Sequence, residues 1–249
     1  RTGNLVDRNR INMFLALDTA TEHAGVALLN KAGHVIHEKN WLSNRNHTSE
    51  LHIAIESALV ESAIGINDLK GLIVTIGPGS FTGIRIGLAA AKAISISLDI
   101  PVVGISTLDV AAFPFINQRD QIISLLPAGR GEFSCAVFRN DENDSSILAP
   151  YKKIIEDHII TVDELFSFID EQKGPMIICG EITDDLEDRL VQMNNTIIHI
   201  PPIPERQRRS GELARLGYRR FTQGLMDDPT KLQPVYLRKS AAEENLEKK

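Results

Sequence analysis

The residues with the most chemical promise are Gly77, Pro78, Gly79, Ser80, Phe81, Thr82 and Gly83, continuing through Arg85 and Ile86 to Gly87. A glycine-rich turn between a strand and a helix points free backbone N–H groups and a positive dipole end at one place. That geometry suits a phosphate, a carboxylate or the backbone of another chain. The specific phosphate-loop patterns do not fit. A Walker A loop needs glycine at position 82, followed by Lys and Ser/Thr, but Thr82 stands there, and the third glycine of a dinucleotide fingerprint falls one residue late, at Gly83. The stretch therefore reads either as a tight strand-to-helix turn or as an unspecified anion site.

Other reactive side chains are scattered. Ser80 lies in no Gly-x-Ser-x-Gly elbow and is placed to cap the helix that follows. His47 and His52 are five apart, which puts them on different faces of a helix, and no His-Glu-x-x-His run is present. Arg206, Arg208, Arg209, Arg215, Arg219 and Arg220 concentrate positive charge near the C-terminus, with Arg208, Arg215 and Arg219 on one helical face. That face reads as a solvated surface, or as a contact for tRNA phosphate or an acidic partner.

The elements that must position these residues follow from hydrophobic period. Phe14–Asp18, Ala24–Leu29 and Val35–Trp41 read as three strands in meander, and a helix opens at His47 with Thr48 as its cap. Leu72–Ile76 supplies a fourth strand, and a second helix runs from about Gly83 to Leu98. Both helices are apolar beyond one stripe; in the second, Arg85 and Lys92 are the charged residues. A helix apolar nearly all round must be covered on both sides, by a large core or by a partner.

The second half repeats this order. Gln121–Leu126, Glu132–Arg139 and Ile147–Ile154 read as strands around a polar loop at Asn140–Ser146. Then come a helix at Val162–Asp170, a strand at Met176–Cys179, a helix at Asp185–Gln192, a strand at Thr196–Ile200 and a final helix at Ser210–Gly224. Two copies of β-β-β-α-β-α predict an α/β protein of two duplicated ribonuclease H-like, actin-like domains, spanning residues 13–106 and 107–238. Residues 1–12 read as a leader without fold and 239–249 as a mobile polar tail.

Composition sets outer bounds. The chain has 249 residues, 43% of them hydrophobic, with a formal charge of −6, which argues against a whole-surface nucleic-acid binder. No apolar run is long enough to span a bilayer, so no membrane contact is expected. Cys135 and Cys179 lie in strand-like runs and suggest no disulfide framework, which suits a cytoplasmic location.

Leu15-Ala-Leu-Asp-Thr-Ala-Thr21, His47-Thr-Ser-Glu50, the Gly77–Gly87 stretch, Val103-Gly-Ile-Ser-Thr-Leu108 and Pro234-Val-Tyr-Leu-Arg238 closely resemble the TsaB (YeaZ) family. The resemblance covers roughly residues 13–238 and is densest in the first half. It implies a two-domain actin-like paralogue of TsaD, serving as the non-catalytic partner in bacterial threonylcarbamoyladenosine synthesis. In such systems a TsaC-type enzyme makes threonylcarbamoyl-adenylate, and TsaD transfers the carbamoyl group to adenosine 37 of tRNAs reading codons that begin with A. TsaB holds TsaD active and the ATPase TsaE completes the assembly, so tRNA would be met only through the complex. A homodimer is expected when TsaD is absent.

The resemblance also implies site residues. In the actin-like fold the hairpin after the first strand of each half grips nucleotide phosphates, which makes Asp18, Thr19 and Thr21 a vestigial nucleotide site. In the second hairpin Pro127 stands where an Asp would be expected and Gly129 where an Arg would be, so autonomous ATP hydrolysis is not expected. No cofactor of its own is implied, although ATP or ADP could sit at the complex interface. TsaD-type chains bind metal through two histidines four apart, a spacing absent here. The partner surface would be the two over-apolar helices, through His47, Glu50, Leu51, Ile55, Ile86, Ala90, Ala91 and Ile94 with the Gly77–Gly87 stretch. The small residues Gly87, Ala90, Ala91 and Ala93 would permit close approach, and Arg85 would seek Glu50 or a partner acid. The alternative reading is an actin-like ATP-dependent kinase or hydrolase that depends on Asp18, with a glycoprotease-type peptidase a distant third.

Overall fold

The computed structural model of the chain describes residues 12–44, 46–118, 120–141, 151–193 and 195–238. Residues 1–11 of the expected leader, most of the expected loop at 140–146 and the expected tail at 239–249 lie outside the described residues.

The first half opens with β1 (Met13–Asp18), β2 (His23–Asn30) and β3 (Val35–Leu42). It continues through α1 (His47–Glu61), β4 (Leu69–Gly77), α2 (Phe81–Leu98) and β5 (Val102–Ser106). The apolar runs of β1 and β4 are buried on both faces and pair in parallel, Leu15 beside Leu72, while β2 and β3 return antiparallel. The sheet order is β3-β2-β1-β4-β5. After α3 (Thr107–Ala112) the second half runs through β6 (Gln121–Gly129), β7 (Glu132–Asn140), β8 (Tyr151–Thr161) and α4 (Val162–Glu171). It ends with β9 (Met176–Gly180), α5 (Asp184–Gln192), β10 (Ile198–His199), α6 (Ile203–Arg206) and α7 (Ser210–Thr222). Its sheet order, β10-β9-β6-β7-β8, is the same arrangement traversed from the other edge. The two actin-like halves predicted from element order are thus present, each a three-stranded meander followed by two parallel crossovers.

Three packed layers of side chains hold this together. Leu15, Leu17, Val74 and Leu88 bury α1 and α2 on the outer face of the first sheet, and Ile123, Ile178, Leu165 and Leu186 bury α4 and α5 on the outer face of the second. Between the sheets, Ile73, Ile105, Leu108, Phe138, Ile177 and Leu213 form one continuous core with α3 and α7 inside it. Here α7 packs against β1, β2, β4 and β5, so the last helix of the second half belongs spatially to the first sheet. A contiguous division at residue 107 therefore describes the strands but not the layers.

Several boundaries differ from expectation for physical reasons. The expected start of the third strand, at 147–150, lies outside the described residues, and β8 runs on past Ile154 to Thr161, because an edge strand tolerates Lys152, Lys153, Glu156 and Asp157, which break the apolar signal. α2 starts at Phe81, two residues before the glycine expected to open it, and Ser80 caps it by accepting the Gly83 N–H at 3.2 Å. α1 starts at His47 after Asn46, whose side chain makes no cap bond, so Thr48 lies inside the helix. α2 is also 18 residues long and apolar enough to cross a bilayer by length and composition, contrary to the expectation from the sequence. In this fold Ile84, Gly87, Leu88 and Ala91 bury one face of it against the first sheet.

Candidate functional site

The glycine stretch holds the β1–β2 hairpin. The Ser80 N–H donates to the Ala20 carbonyl at 2.6 Å, and Thr19 Oγ1 donates to the Gly83 carbonyl at 2.7 Å. A Cβ on Gly79 would stand 2.1 Å from the Ala20 carbonyl oxygen, and one on Gly83 would stand 2.1 Å from that of Thr19. Neither distance is open to any side chain, so the glycines let hairpin backbone lie directly on the start of α2. Gly87, one turn on, faces Thr19 in the same way and is not available to a partner.

That hairpin ends in a cleft between the halves, and the cleft is occupied by the chain itself. Asp18 is buried; its Oδ1 accepts from the Ala20 N–H and from Thr75 Oγ1, each at 3.0 Å, and its Oδ2 accepts from Arg208 Nε at 2.6 Å. The same guanidinium donates to Glu181 Oε1 at 2.7 Å, to Thr21 Oγ1 at 3.0 Å and to the His23 carbonyl at 3.2 Å. Thr21 Oγ1 also donates to Glu181 Oε1 at 2.7 Å. Burial opposes ionisation of Glu181, but the charge of Arg208 and the contacts from His23 and Thr21 outweigh it and hold the carboxyl down at about 2. Burial likewise opposes the charge on Arg208, yet Asp18 and Glu181 together drive its pKa up.

Asp18 was expected in a vestigial nucleotide site, and Arg208 on a solvated face or at a contact with tRNA phosphate or an acidic partner. The structure brings the two together. Both carboxylate oxygens of Asp18 are engaged, and Arg208, its side chain fully buried, stands where a phosphate-bound cation would have to enter. The residues present therefore do not fit a nucleotide–metal pair in this cleft. On the second hairpin Pro127 ends the regular pairing with β7, and Gly129, Arg130 and Gly131 turn with positive φ. The one acid there, Glu132, pairs with Arg238. The second carboxylate of the cleft is Glu181, which sequence reasoning missed. The available signal was Cys179-Gly180-Glu181 directly after an apolar strand, the position Gly77 and Pro78 hold in the first half.

The remaining arginines also pair within the chain. Arg206 meets Glu187 at 2.5 Å, Arg209 meets Glu38 at 3.1 Å and Arg215 meets Glu212 at 2.5 Å. Arg219 lies over the Phe113 ring at 4.8 Å, and burial lowers its pKa. Arg208 precedes α7 and is buried, so Arg208, Arg215 and Arg219 form no common outward face.

The outer surface of α1 and α2 is the second candidate. A groove of about 710 Å³ runs between the two helices, lined by Leu51, Ile55, Leu59, Ile86, Ala90 and Ile94. Around it Ile53, Val60 and Ile96 are 59%, 72% and 59% exposed. Of the residues expected on a partner surface, Ile55, Ile86, Ala90 and Ile94 face this groove, as does the edge of Leu51. His47, Gly77, Pro78, Gly83, Gly87 and Ala91 are buried, and Glu50 accepts hydrogen bonds from Trp41 Nε1 and Ser43 Oγ inside the fold. Among the described residues Arg85 meets neither Glu50 nor any other acid; it lies 3.8 Å above the Phe81 ring and donates to the Tyr236 hydroxyl at 2.8 Å. Thr48, His52, Glu56, Ile66, Ala89 and Ala93 complete the lining. Of these, Ala93 alone was expected at a close contact; the others, with Leu59, were missed because each reads singly as an ordinary helix-surface or loop residue.

Comparison with known proteins gives this geometry a family. The model of the TsaD family, tRNA N6-adenosine threonylcarbamoyltransferase, matches residues 41–245. The tRNA threonylcarbamoyladenosine biosynthesis protein TsaB of Bacillus subtilis is 28% identical over 229 residues, covering 92% of this chain and 95% of the relative. Its namesake in Haemophilus influenzae is 34% identical over 60% of this chain, and that match spans 64% of the relative, short of two thirds of its length. Among solved structures, YeaZ from Pseudomonas aeruginosa superposes with a TM-score of 0.71 at 18% identity, over 91% of this chain and 100% of that one. The match over most of the chain, the shared name of its relatives and the common two-sheet fold together show that this chain belongs to the TsaB (YeaZ) family.

Proposed function

We propose that the chain is a non-catalytic subunit in tRNA threonylcarbamoyladenosine synthesis, binding and activating a TsaD-type transferase through the outer face of α1 and α2. The observation that carries this reading is the apolar groove between those helices. Folding has already buried Leu51, Ala54, Ala58, Leu88 and Ala91 beneath them, and Ile53, Val60 and Ile96 stay exposed among the described residues. The engagement of Asp18 by Arg208 supports the absence of autonomous turnover, since a kinase or hydrolase of this fold would need that carboxylate for a metal. In this reading a TsaE-type ATPase joins the complex, nucleotide sits at the complex interface if anywhere, and tRNA is reached through the partner. The same face pairs two copies when the transferase is absent, and the setting is cytoplasmic, with no membrane contact.

The test is reconstitution of tRNA threonylcarbamoylation from TsaC-, TsaD- and TsaE-type proteins with and without this chain, beside its ATPase rate alone. Modification that requires the chain, with no ATP turnover by the chain itself, is the expected result. Modification that proceeds equally without it, together with hydrolysis abolished by Asp18→Asn, would overturn the reading in favour of an ATP-using enzyme.

A further inference from the structure

Two-halved folds with a central cleft ordinarily close around a ligand that touches both sides, and the ligand sets how far the halves open. Here the group touching both sides is covalently part of the chain. Arg208 arrives from the segment between β10 and α7. It donates to Asp18, Thr21 and the His23 carbonyl of the first half and to Glu181 at the end of β9 in the second. Four of its contacts are satisfied at 3.2 Å or less while its side chain is fully buried. A planar guanidinium can serve so many acceptors at once; an ammonium on the same stem cannot.

The charges around it exclude the usual occupant. Two carboxylates, Asp18 and Glu181, face the one guanidinium, and His23 lies 3.7 Å from Glu181 on the rim. A phosphate entering here would meet two acids whose cation is already committed. We propose that Arg208 is a tethered cation that holds the two halves closed in place of a nucleotide, making closure of this cleft independent of ATP. The inference concerns the free chain and stands whether or not α1 and α2 receive a transferase.

Hydrogen exchange on the full chain tests it. In the wild type, peptides covering residues 18–23 and 178–183 should exchange at the same rate with and without millimolar ATP and magnesium. Arg208→Gly should raise exchange in those two segments about tenfold or more, with peptides from β1 and β6 cores changed far less. Millimolar guanidinium chloride, against sodium chloride at the same strength, should restore protection by refilling the vacated cation position. If Arg208→Gly does not fold, Glu181→Gln removes the charge on the far side alone and should still raise exchange in both segments. ATP-dependent protection in the wild type would overturn the proposal. So would unchanged exchange in Glu181→Gln, or an Arg208→Gly defect that guanidinium and sodium relieve equally.

Discussion

The two halves share one topology but clothe their outer helices differently. On the second sheet, α4 buries Leu165 and Ile169 and α5 buries Leu186 and Leu190, while Asp163, Asp170, Asp184, Asp185 and Asp188 face water. Thr161 and Thr183 cap their starts. On the first sheet, α1 and α2 bury an equivalent stripe and then add Ile53, Val60 and Ile96 where the second half carries acids. A conventional helix shows one apolar stripe; α4 obeys that rule, and α5 departs from it at Val191 alone among its described residues. The excess on α1 and α2 is therefore not demanded by the architecture, because the same architecture stands with far less of it in the second half of the chain.

The sharpest way to break this comparison is to place the same charge on two neighbouring positions of α2. Ala91 is fully buried against the first sheet, and Ala90 borders the groove. Ala91→Glu puts an unpaired carboxylate into the core and should cost about 3–5 kcal/mol of stability, read by urea denaturation. Ala90→Glu should leave denaturation within about 0.5 kcal/mol of wild type. Equal losses at both positions would mean that the outer face is structural.

The next effect is smaller and lies on binding. Ala90→Glu should weaken pairing with a TsaD-type protein, or with a second copy, roughly a hundredfold, because the groove would bury a charge without a partner. Val191→Glu, on the exposed side of α5, should leave the same affinity unchanged. Calorimetric titration of the two variants decides between a pairing surface confined to the first half and one spread over both.

Much of this contrast was legible in the sequence. The apolar excess of α1 and α2, the duplicated strand order and the cap at Ser80 all follow from period and residue type, which are local. What was not legible is long-range. Nothing near Gly87 says that its missing side chain makes room for Thr19, and nothing near Arg208 says that Asp18, 190 positions away, is its partner. Ala91 looked like part of a close-approach surface because a helix apolar on both sides gives its inward and outward faces the same composition. The arginine cluster misled for a similar reason, since a run of like charges reads as one surface until its distant acids, Glu38, Glu181 and Glu187, are brought in from elsewhere.

Two buried carboxylates, one in the cleft and one between the sheets, answer to acid in opposite ways. Glu181 is held at about 2 against an ordinary value of 4.5. A depressed folded-state pKa means that its stabilisation is complete above pH 4.5 and is lost as the pH falls toward 2, at most about 3 kcal/mol. Asp109, which Lys153 meets at 2.6 Å between the sheets, goes the other way: burial pushes its carboxyl up to about 6 despite that partner. Its share favours the fold below pH 3.8 and is lost as the pH rises through 6. Acid unfolding followed in wild type and in Glu181→Gln should draw together as the pH falls from 4.5 toward 2, with the wild type ahead above that range. Curves parallel down to pH 2 would remove Glu181 from the account of the cleft.

The smallest effect separates the helix starts. Thr161 and Glu164 form a reciprocal cap on α4, with the Glu164 N–H donating to Thr161 Oγ1 at 3.2 Å and the Thr161 N–H donating to Glu164 Oε2 at 2.8 Å. Thr161→Ala should therefore cost about 1 kcal/mol. Asn46 offers α1 no such bond, so Asn46→Ala should change the stability of the free chain by less than about 0.5 kcal/mol. The first turn of α1 brings Thr48, Leu51 and His52 to the groove, so a partner seated there would shield the N–H groups that Asn46 leaves to water. Repeating the pair of measurements with the partner bound then asks whether docking makes Asn46 matter. A cost that appears only in the complex would tie the start of α1 to the pairing surface, and equal small values in both states would confine that surface to the groove itself.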